Sequence, residues 1–370
     1  MITHFHGVDK HSTHLTITTV DQNGEIVNFI GKCTKFPEFI KTLGKCDAVA
    51  IESGNMTFYL ADKMEEQGAT VFIIDARANK IISSSTRKTD KNDSEKLAFC
   101  LRSYLNGDGY TVFPTVHKPK LEIRRLRRMF SGHETLKKTM VQMKNTIIGM
   151  IRDSGLRLST KQHEELFHPE HGFKELEELN LPKSDYCVIH ALLGSLHKII
   201  NEKKTLENQI IQFGAFLQED VEILMSMRGV SAFLALGFLA DVGDLNRFQS
   251  IRKLNAYLGL VPVTRSSGKR EFQGHIIRCS RHLTRTLFTQ AVQFIGASSP
   301  GLSEWYQEVR GRRGIGRGRI ALIRKTVKIM RRMLLERELY RWTDTNLYQT
   351  KLNNYHRLLN RKDNYMKLSA

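Results

Sequence analysis

The first 75 residues alternate short apolar runs with turn signals, in an order that few folds accommodate. His14–Val20 alternates and is rich in β-branched residues, the pattern of a strand. Asp21-Gln-Asn-Gly24 places Asn-Gly at the centre of a turn, a hairpin signal, and Glu25–Ile30 returns as a further strand. His4-Phe-His-Gly-Val-Asp9 is a short extended segment ahead of both. A short helix over Phe36–Leu43 closes at Gly44, and Cys46-Asp-Ala-Val-Ala-Ile51 reads as a buried central strand. Thr57–Glu66 is amphipathic and stops at Gly68, and Thr70–Ile74 is a fifth strand, followed by Asp75. The first strand ends on Asp9 and the fourth runs into Glu52.

Three strands joined by tight turns, then helix, strand, helix, strand, is the order of a ribonuclease H-like mixed sheet. The expected class is therefore α/β, followed by mostly helical regions, with residues 1–110 as the first domain. In such a sheet the first and fourth strands are neighbours, which brings Asp9 beside Glu52. Asp90 and Asp93 lie three positions apart where an apolar helical pattern (Leu97, Ala98, Leu101) begins, so they share one helix face. As plain structure, Asp90 is an N-cap, Asp93 a first-turn charge, Asp9 a turn former and Glu52 a solvated strand end. Gathered at one place, the four carboxylates call for divalent cations, and hard oxygen ligands select Mg²⁺ or Mn²⁺. Two such ions roughly 3.5–4 Å apart can clamp the attacking and leaving oxygens of a phosphodiester. His4 and His6 form an H-x-H with no third soft ligand nearby in sequence, a poor metal site.

The charge balance points to the same substrate class. Lys and Arg number 57 against 38 Asp and Glu, a net charge of +19, which favours a polyanionic partner, most simply nucleic acid. No apolar run reaches membrane-spanning length and no signal peptide opens the chain, so a cytoplasmic protein without membrane contact is expected. The five cysteines are scattered without a C-x-x-C, which predicts reduced thiols and neither disulfides nor a zinc site.

Residues 111–220 carry two heptad seams, Leu126 to Met150 and Leu192 to Leu217, interrupted by His133 and Lys203. They predict an antiparallel, coiled-coil-like helical hairpin joined by a polar, loop-rich connector over 154–185. Its entry helix bears Arg124, Arg125, Arg127 and Arg128, a basic face expected to meet a phosphate backbone. In residues 221–345, Gly229-Val-Ser231 at a helix start suggests a helix-hairpin-helix turn, with Arg228 as an additional phosphate donor. Ser266-Ser267-Gly268 reads on turn chemistry as a loop, flanked by Arg265, Lys269 and Arg270. The alternating glycines of Arg310–Arg319 predict a mobile basic loop that offers Arg312, Arg313, Arg317 and Arg319 to nucleic acid, followed by a basic helix over Ile320–Leu339. Residues 346–370 read as a polar tail.

Gly7-Val-Asp9, Ala50-Ile-Glu52-Ser-Gly54 and Arg87-Lys-Thr-Asp90-Lys-Asn-Asp93 resemble the D-E-D-D pattern of the insertion-sequence family one-hundred-and-ten transposases, which include Piv-type DNA invertases. Asp244–Phe248 and Leu254–Pro262 also resemble that family. The departures are Ser94, where the family often has Ala, Arg228 and Ser231 in its Pro-Gly-Val-Gly turn, and Arg278-Cys-Ser-Arg281 in place of Lys-Arg-Gly-Asn. The resemblance implies a RuvC-like domain whose Asp9, Glu52, Asp90 and Asp93 bind metal. It also implies a catalytic serine at Ser267, with Ser266 as the alternative, that forms a covalent phosphoserine link to DNA. A structured guide RNA, donor and target DNA, and a homo-oligomer (dimer or tetramer) whose active site combines the first domain of one subunit with the last of another would follow, in a prokaryotic, nucleoid-associated setting. Two rival readings are a RuvC-like junction nuclease that uses water and a nucleic-acid-binding protein without catalysis.

Overall fold

The computed structural model describes residues 1–75, 89–107, 113–267, 270–276 and 281–361, in two compact units, Met1–Lys118 and Pro119–Ala370. The first unit is built on a five-stranded sheet of order β3-β2-β1-β4-β5. Its strands are β1 (His4–Lys10), β2 (Leu15–Val20), β3 (Ile26–Cys33), β4 (Asp47–Glu52) and β5 (Thr70–Ile74). The β1–β2 and β2–β3 pairs are antiparallel, whereas β1–β4 and β4–β5 are parallel. Asp21 Oδ1 accepts from the amides of Gly24 (2.9 Å) and Glu25 (2.8 Å), and Gly24 takes φ +93°, which is why the Asn-Gly turn reverses the chain here.

Alternation along the strands makes three layers. Val8, Val49, Ile51 and Ile73 pack on one face against α1 (Phe36–Lys41) and α2 (Thr57–Glu66). Phe5, Ala48, Ala50 and Ile74 pack on the other against Leu97 and Leu101 of α3 (Asp90–Asn106). The first unit extends past residue 110 for a local reason. Val116 N donates to Ile73 O (2.7 Å), and Lys118 reaches Asp62 (2.9 Å) and Glu65 of α2.

The second unit begins with two long antiparallel helices, α4 (Leu121–Asp153) and α7 (Lys183–Phe213). Ile147 and Ile151 of α4 pack with Ile189, Leu193 and Leu196 of α7. Both polar interruptions of the seams meet one carboxylate: Glu207 Oε1 lies 2.8 Å from His133 Nε2 and accepts from Lys203 Nζ at 2.6 Å. The connector is more ordered than a loop-rich reading allows. It holds α5 (Thr160–Leu166), opened by a Ser159–Gln162 capping box, and α6 (Gly172–Glu178).

Further helices are α8 (Gln218–Met225), α9 (Ala232–Val242) and α10 (Ile251–Tyr257), followed by the hairpin β6 (Pro262–Ser267) and β7 (Arg270–Ile276). The chain continues through α11 (Leu283–Gly296), α12 (Pro300–Arg313), α13 (Ile315–Glu336) and α14 (Thr345–Leu359). Phe238, Phe288 and Val327 from α9, α11 and α13 share its core.

Two expectations are corrected. The glycine-alternating stretch is a helical corner, not a loop: Gly314 (φ +79°) separates α12 from α13. A Cβ on Gly318 would sit 3.1 Å from the Arg310 Cα, so that glycine permits a close helix–helix approach. Within the expected polar tail, residues 346–361 are not simply polar, because α14 buries Tyr355 in the core and Gln212 Nε2 donates to Arg361 O (2.8 Å); residues 362–370 lie outside the described residues. Tyr355, with the partly buried Tyr348, Leu358 and Leu359, anchors a helix whose other residues are mostly polar.

Candidate active site

The site starts from strand register. Val8 of β1 pairs with Ile51 of β4 in the parallel ladder, so the next residues, Asp9 and Glu52, stand level on adjacent strands. Both fall on the sheet face of Phe5, Ala48 and Ala50, the face that α3 covers. Beyond β4 the chain is held by Ser53 N donating to Ile74 O (2.8 Å) and Thr57 Oγ1 donating to Glu52 O (2.8 Å).

Small residues let α3 lie close to the strands. A methyl group on Gly7 would come 2.5 Å from Ala98 N and 2.9 Å from Leu97 Cβ, and closer still to the Ser94 carbonyl oxygen. The Ser94 hydroxyl, buried, lies 2.8 Å from Thr18 Oγ1 of β2 and donates to Lys91 O, which pins the first turn of α3. The N-cap is Thr89, whose side chain accepts from Asn92 N (3.2 Å), not Asp90 as the sequence suggests. Asp90 and Asp93 therefore occupy the first turn inside the helix, where its amide dipoles favour negative charge by about 0.3–1 kcal/mol.

The charges of Asp90 and Asp93 reach Asp9. Burial raises the Asp9 carboxyl above its ordinary value; the charges of Asp90 and Asp93 add to this, and His11 opposes it. Asp93 Oδ1 is buried without a hydrogen-bond partner among the described residues. An all-oxygen donor set with mutual repulsion and an unsatisfied buried oxygen fits a hard divalent cation. Asp9, Glu52, Asp90 and Asp93 are the residues that could hold one.

One participant escaped the sequence reading. His11 Nε2 lies 3.3 Å from Asp9 Oδ2 and 3.2 Å from Asp90 Oδ2, although its angles make no hydrogen bond to either. His14 stacks on His11 with ring centroids 4.5 Å apart. The signal was His11-Ser-Thr-His14, two positions beyond Asp9, in the first hairpin turn. By contrast, His6 is committed to Asp47 and Thr19 (3.0 Å each), so the H-x-H pair serves the fold.

In the second unit, Ser267 is the last residue of β6 and pairs with Arg270, with Ser266 opposite Glu271. The two serines of the expected loop thus stand at the end of a strand in a two-stranded ladder; Gly268 and Lys269 lie outside the described residues. In the same ladder Arg265 stands opposite Phe272 and Arg270 opposite Ser267. The helix that follows is anchored by Asp241, which is buried and accepts from Thr284 N (2.7 Å) and Thr284 Oγ1 (2.9 Å).

The expected basic residues divide. Arg125, Arg128, Arg228, Arg312, Arg313, Arg317 and Arg319 are exposed. Arg124 is 8% exposed, and Arg127 donates to Ala240 O (2.6 Å) and Asp241 O (3.0 Å), so these two are turned inward by the helical period. Gly229 adopts φ +82°, and Ser231 caps α9 by accepting from Leu234 N (3.2 Å), which gives this departure from the family turn a structural role. No described helix is long and apolar enough to cross a membrane.

An acid cluster at the end of a parallel strand pair, in a chain of net charge +19, is an arrangement suited to enzymes that handle nucleic-acid phosphodiesters. Comparison with known proteins is more specific. Residues 221–307 match the family described as Transposase IS116/IS110/IS902 family. The transposase for insertion sequence element IS1111A of Coxiella burnetii is 23% identical over 351 residues, covering 90% of each chain. A "Probable family 20 transposase" of Pseudomonas aeruginosa is 24% identical over 347 residues, covering 91% of this chain and 94% of that one. The insertion element IS116 protein of Streptomyces clavuligerus is 31% identical over 121 residues, 32% of this chain and 30% of that one. Over residues 221–307 the chain is thus similar to that family, and over about nine-tenths of its length it is similar to proteins named as transposases.

Proposed function

We propose that this protein is an insertion-sequence transposase of the IS110 type, a DNA-binding, divalent-cation-dependent recombinase in which the first unit is a RuvC-type, ribonuclease H-like domain. Asp9, Glu52, Asp90 and Asp93 would hold Mg²⁺ or Mn²⁺, and Ser267 is the nucleophile. The main support is the placement of Asp9 and Glu52 level on one sheet face, under the helix whose first turn carries Asp90 and Asp93. Bound cations would supply charge neutralisation at the scissile phosphate and polarise its oxygens.

The chain's own groups do the rest. The Ser267 hydroxyl attacks phosphorus, a strand hydroxyl leaves, and the new phosphoserine ester keeps the bond energy for rejoining. Arg265, Lys269 and Arg270 flank that serine in sequence and offset the charge that develops on the phosphate. Exposed Arg125, Arg128, Arg312, Arg313, Arg317 and Arg319 contact DNA and a structured guide RNA, in a homo-oligomer held partly by the α4–α7 pair. The test is a Mg²⁺ and Mn²⁺ titration of strand cleavage with wild type, Asp93→Asn and Ser267→Ala. Loss of cleavage in both variants is expected; a Ser267→Ala enzyme that still cuts would favour a water-using nuclease instead.

A further inference from the structure

We propose that His11, His14 and Asp90 form a second metal site that takes a late first-row divalent ion such as Zn²⁺ or Co²⁺ and shares Asp90 with the acid cluster. A ring nitrogen of each histidine and a carboxylate oxygen of Asp90 all lie within 4.8 Å of one another. Four-coordinate zinc holds its donors about 3.3 Å apart, given bond lengths of roughly 2.0–2.1 Å. Side-chain rotation in a surface turn can close that difference.

Three details favour ligation over a simple ion pair. His11 Nε2 is buried and unpartnered by hydrogen-bond geometry, although it lies between two carboxylates. His14 Nδ1 lies 3.2 Å from Thr13 Oγ1, the kind of contact that orients a ligating imidazole and leaves Nε2 for a metal. The turn is closed by His11 N donating to His14 O (3.0 Å), which keeps the two rings stacked on one side. Imidazole nitrogens prefer zinc, cobalt and nickel, whereas the neighbouring all-carboxylate set prefers magnesium and manganese. The two sites would therefore compete for Asp90, and an ion in the nitrogen site would restrain the acid cluster. Only this consequence rests on the reading of the acids given above; the site itself does not.

The experiment uses the full chain and Co²⁺. In wild type, Co²⁺ should give visible ligand-field bands and two hyperfine-shifted, D₂O-exchangeable imidazole N–H resonances, both removed by competing Zn²⁺. His14→Ala should weaken Co²⁺ binding at least tenfold, and Asp93→Asn, which leaves this donor set intact, should not. Zn²⁺ should inhibit strand cleavage in wild type and lose that effect in His14→Ala. Because the resonances are read in wild type, a misfolded variant does not decide the outcome. Co²⁺ binding lost in Asp93→Asn but kept in His14→Ala, or Co²⁺ bound with no shifted imidazole resonance, would overturn the nitrogen site and leave the acid cluster standing. Absence of Mg²⁺-dependent cleavage with the cobalt signals intact would do the reverse.

Discussion

Gly7→Ala tests whether the closeness of α3 to the sheet sets the acid geometry. The new methyl group would lie 2.5 Å from Ala98 N, whereas ordinary contact begins at 3.4 Å, so the helix must move by about 0.9 Å or more. The obstruction is backbone, which cannot rotate away. Overpacking of this kind costs about 1–3 kcal/mol, and a displacement near 1 Å at reacting groups costs roughly a hundredfold in rate. The assay pairs a thermal melt with single-turnover strand cleavage in Mg²⁺. A folded Gly7→Ala protein should melt earlier and cleave about a hundredfold more slowly. Gly149→Ala is the control: a methyl there meets nothing within 4 Å on α4, and it should gain about 0.5–1 kcal/mol in stability. Gly7→Ala at wild-type rate would refute the idea that this contact positions Asp90 and Asp93.

Three further outcomes are expected. In metal-free buffer, Asp9→Asn should melt no lower than wild type and gain roughly 0.5 kcal/mol, because one of several neighbouring like charges is gone, while any stabilisation by Mg²⁺ should disappear; a lower melting temperature without metal would contradict mutual repulsion. Burial pulls Lys351 down to about 8, below its unfolded value, so stability should rise with pH from about 8 towards 10.5 as the folded state sheds its proton first. Lys351→Met should flatten that slope in urea melts across the range, and an unchanged slope would assign it to other groups. Glu207→Ala removes the one carboxylate that serves both His133 and Lys203, and should cost about 1–3 kcal/mol in chemical denaturation; a neutral result would mean water satisfies both.

Much of the first unit was legible because its signals are local. β-branched alternation, the Asn-Gly turn and the glycine stops mark strand and helix ends within a few residues, and the acids at strand ends follow from them. The close seat of α3 was not legible, since nothing in Gly7-Val-Asp9 says which backbone approaches the glycine. His11 was missed for a similar reason: its neighbours Asp9 and Asp90 are adjacent only after α3 crosses the sheet. In the second unit the glycines of Arg310–Arg319 were weighed as breakers, yet two of the three helical ones meet no neighbour, and Gly318 is small for packing. The basic run at Arg124–Arg128 looked uniform as composition, but helical period sends Arg124 and Arg127 inward and leaves Arg125 and Arg128 outside. The tail showed few apolar residues, and the buried Tyr355, the partly buried Tyr348, Leu358 and Leu359 and a few polar contacts seat α14.

The most direct test of the proposed chemistry is to trap and map the protein–DNA adduct. Wild-type protein is incubated with Mg²⁺ and an end-labelled donor strand, denatured and digested, and the DNA-linked peptide is sequenced by mass spectrometry. The account predicts a phosphodiester linkage at Ser267, present with Ser266→Ala and absent with Ser267→Ala and with Asp93→Asn. Cleaved strands with no linked peptide, or an adduct that forms equally well without Asp93, would contradict it.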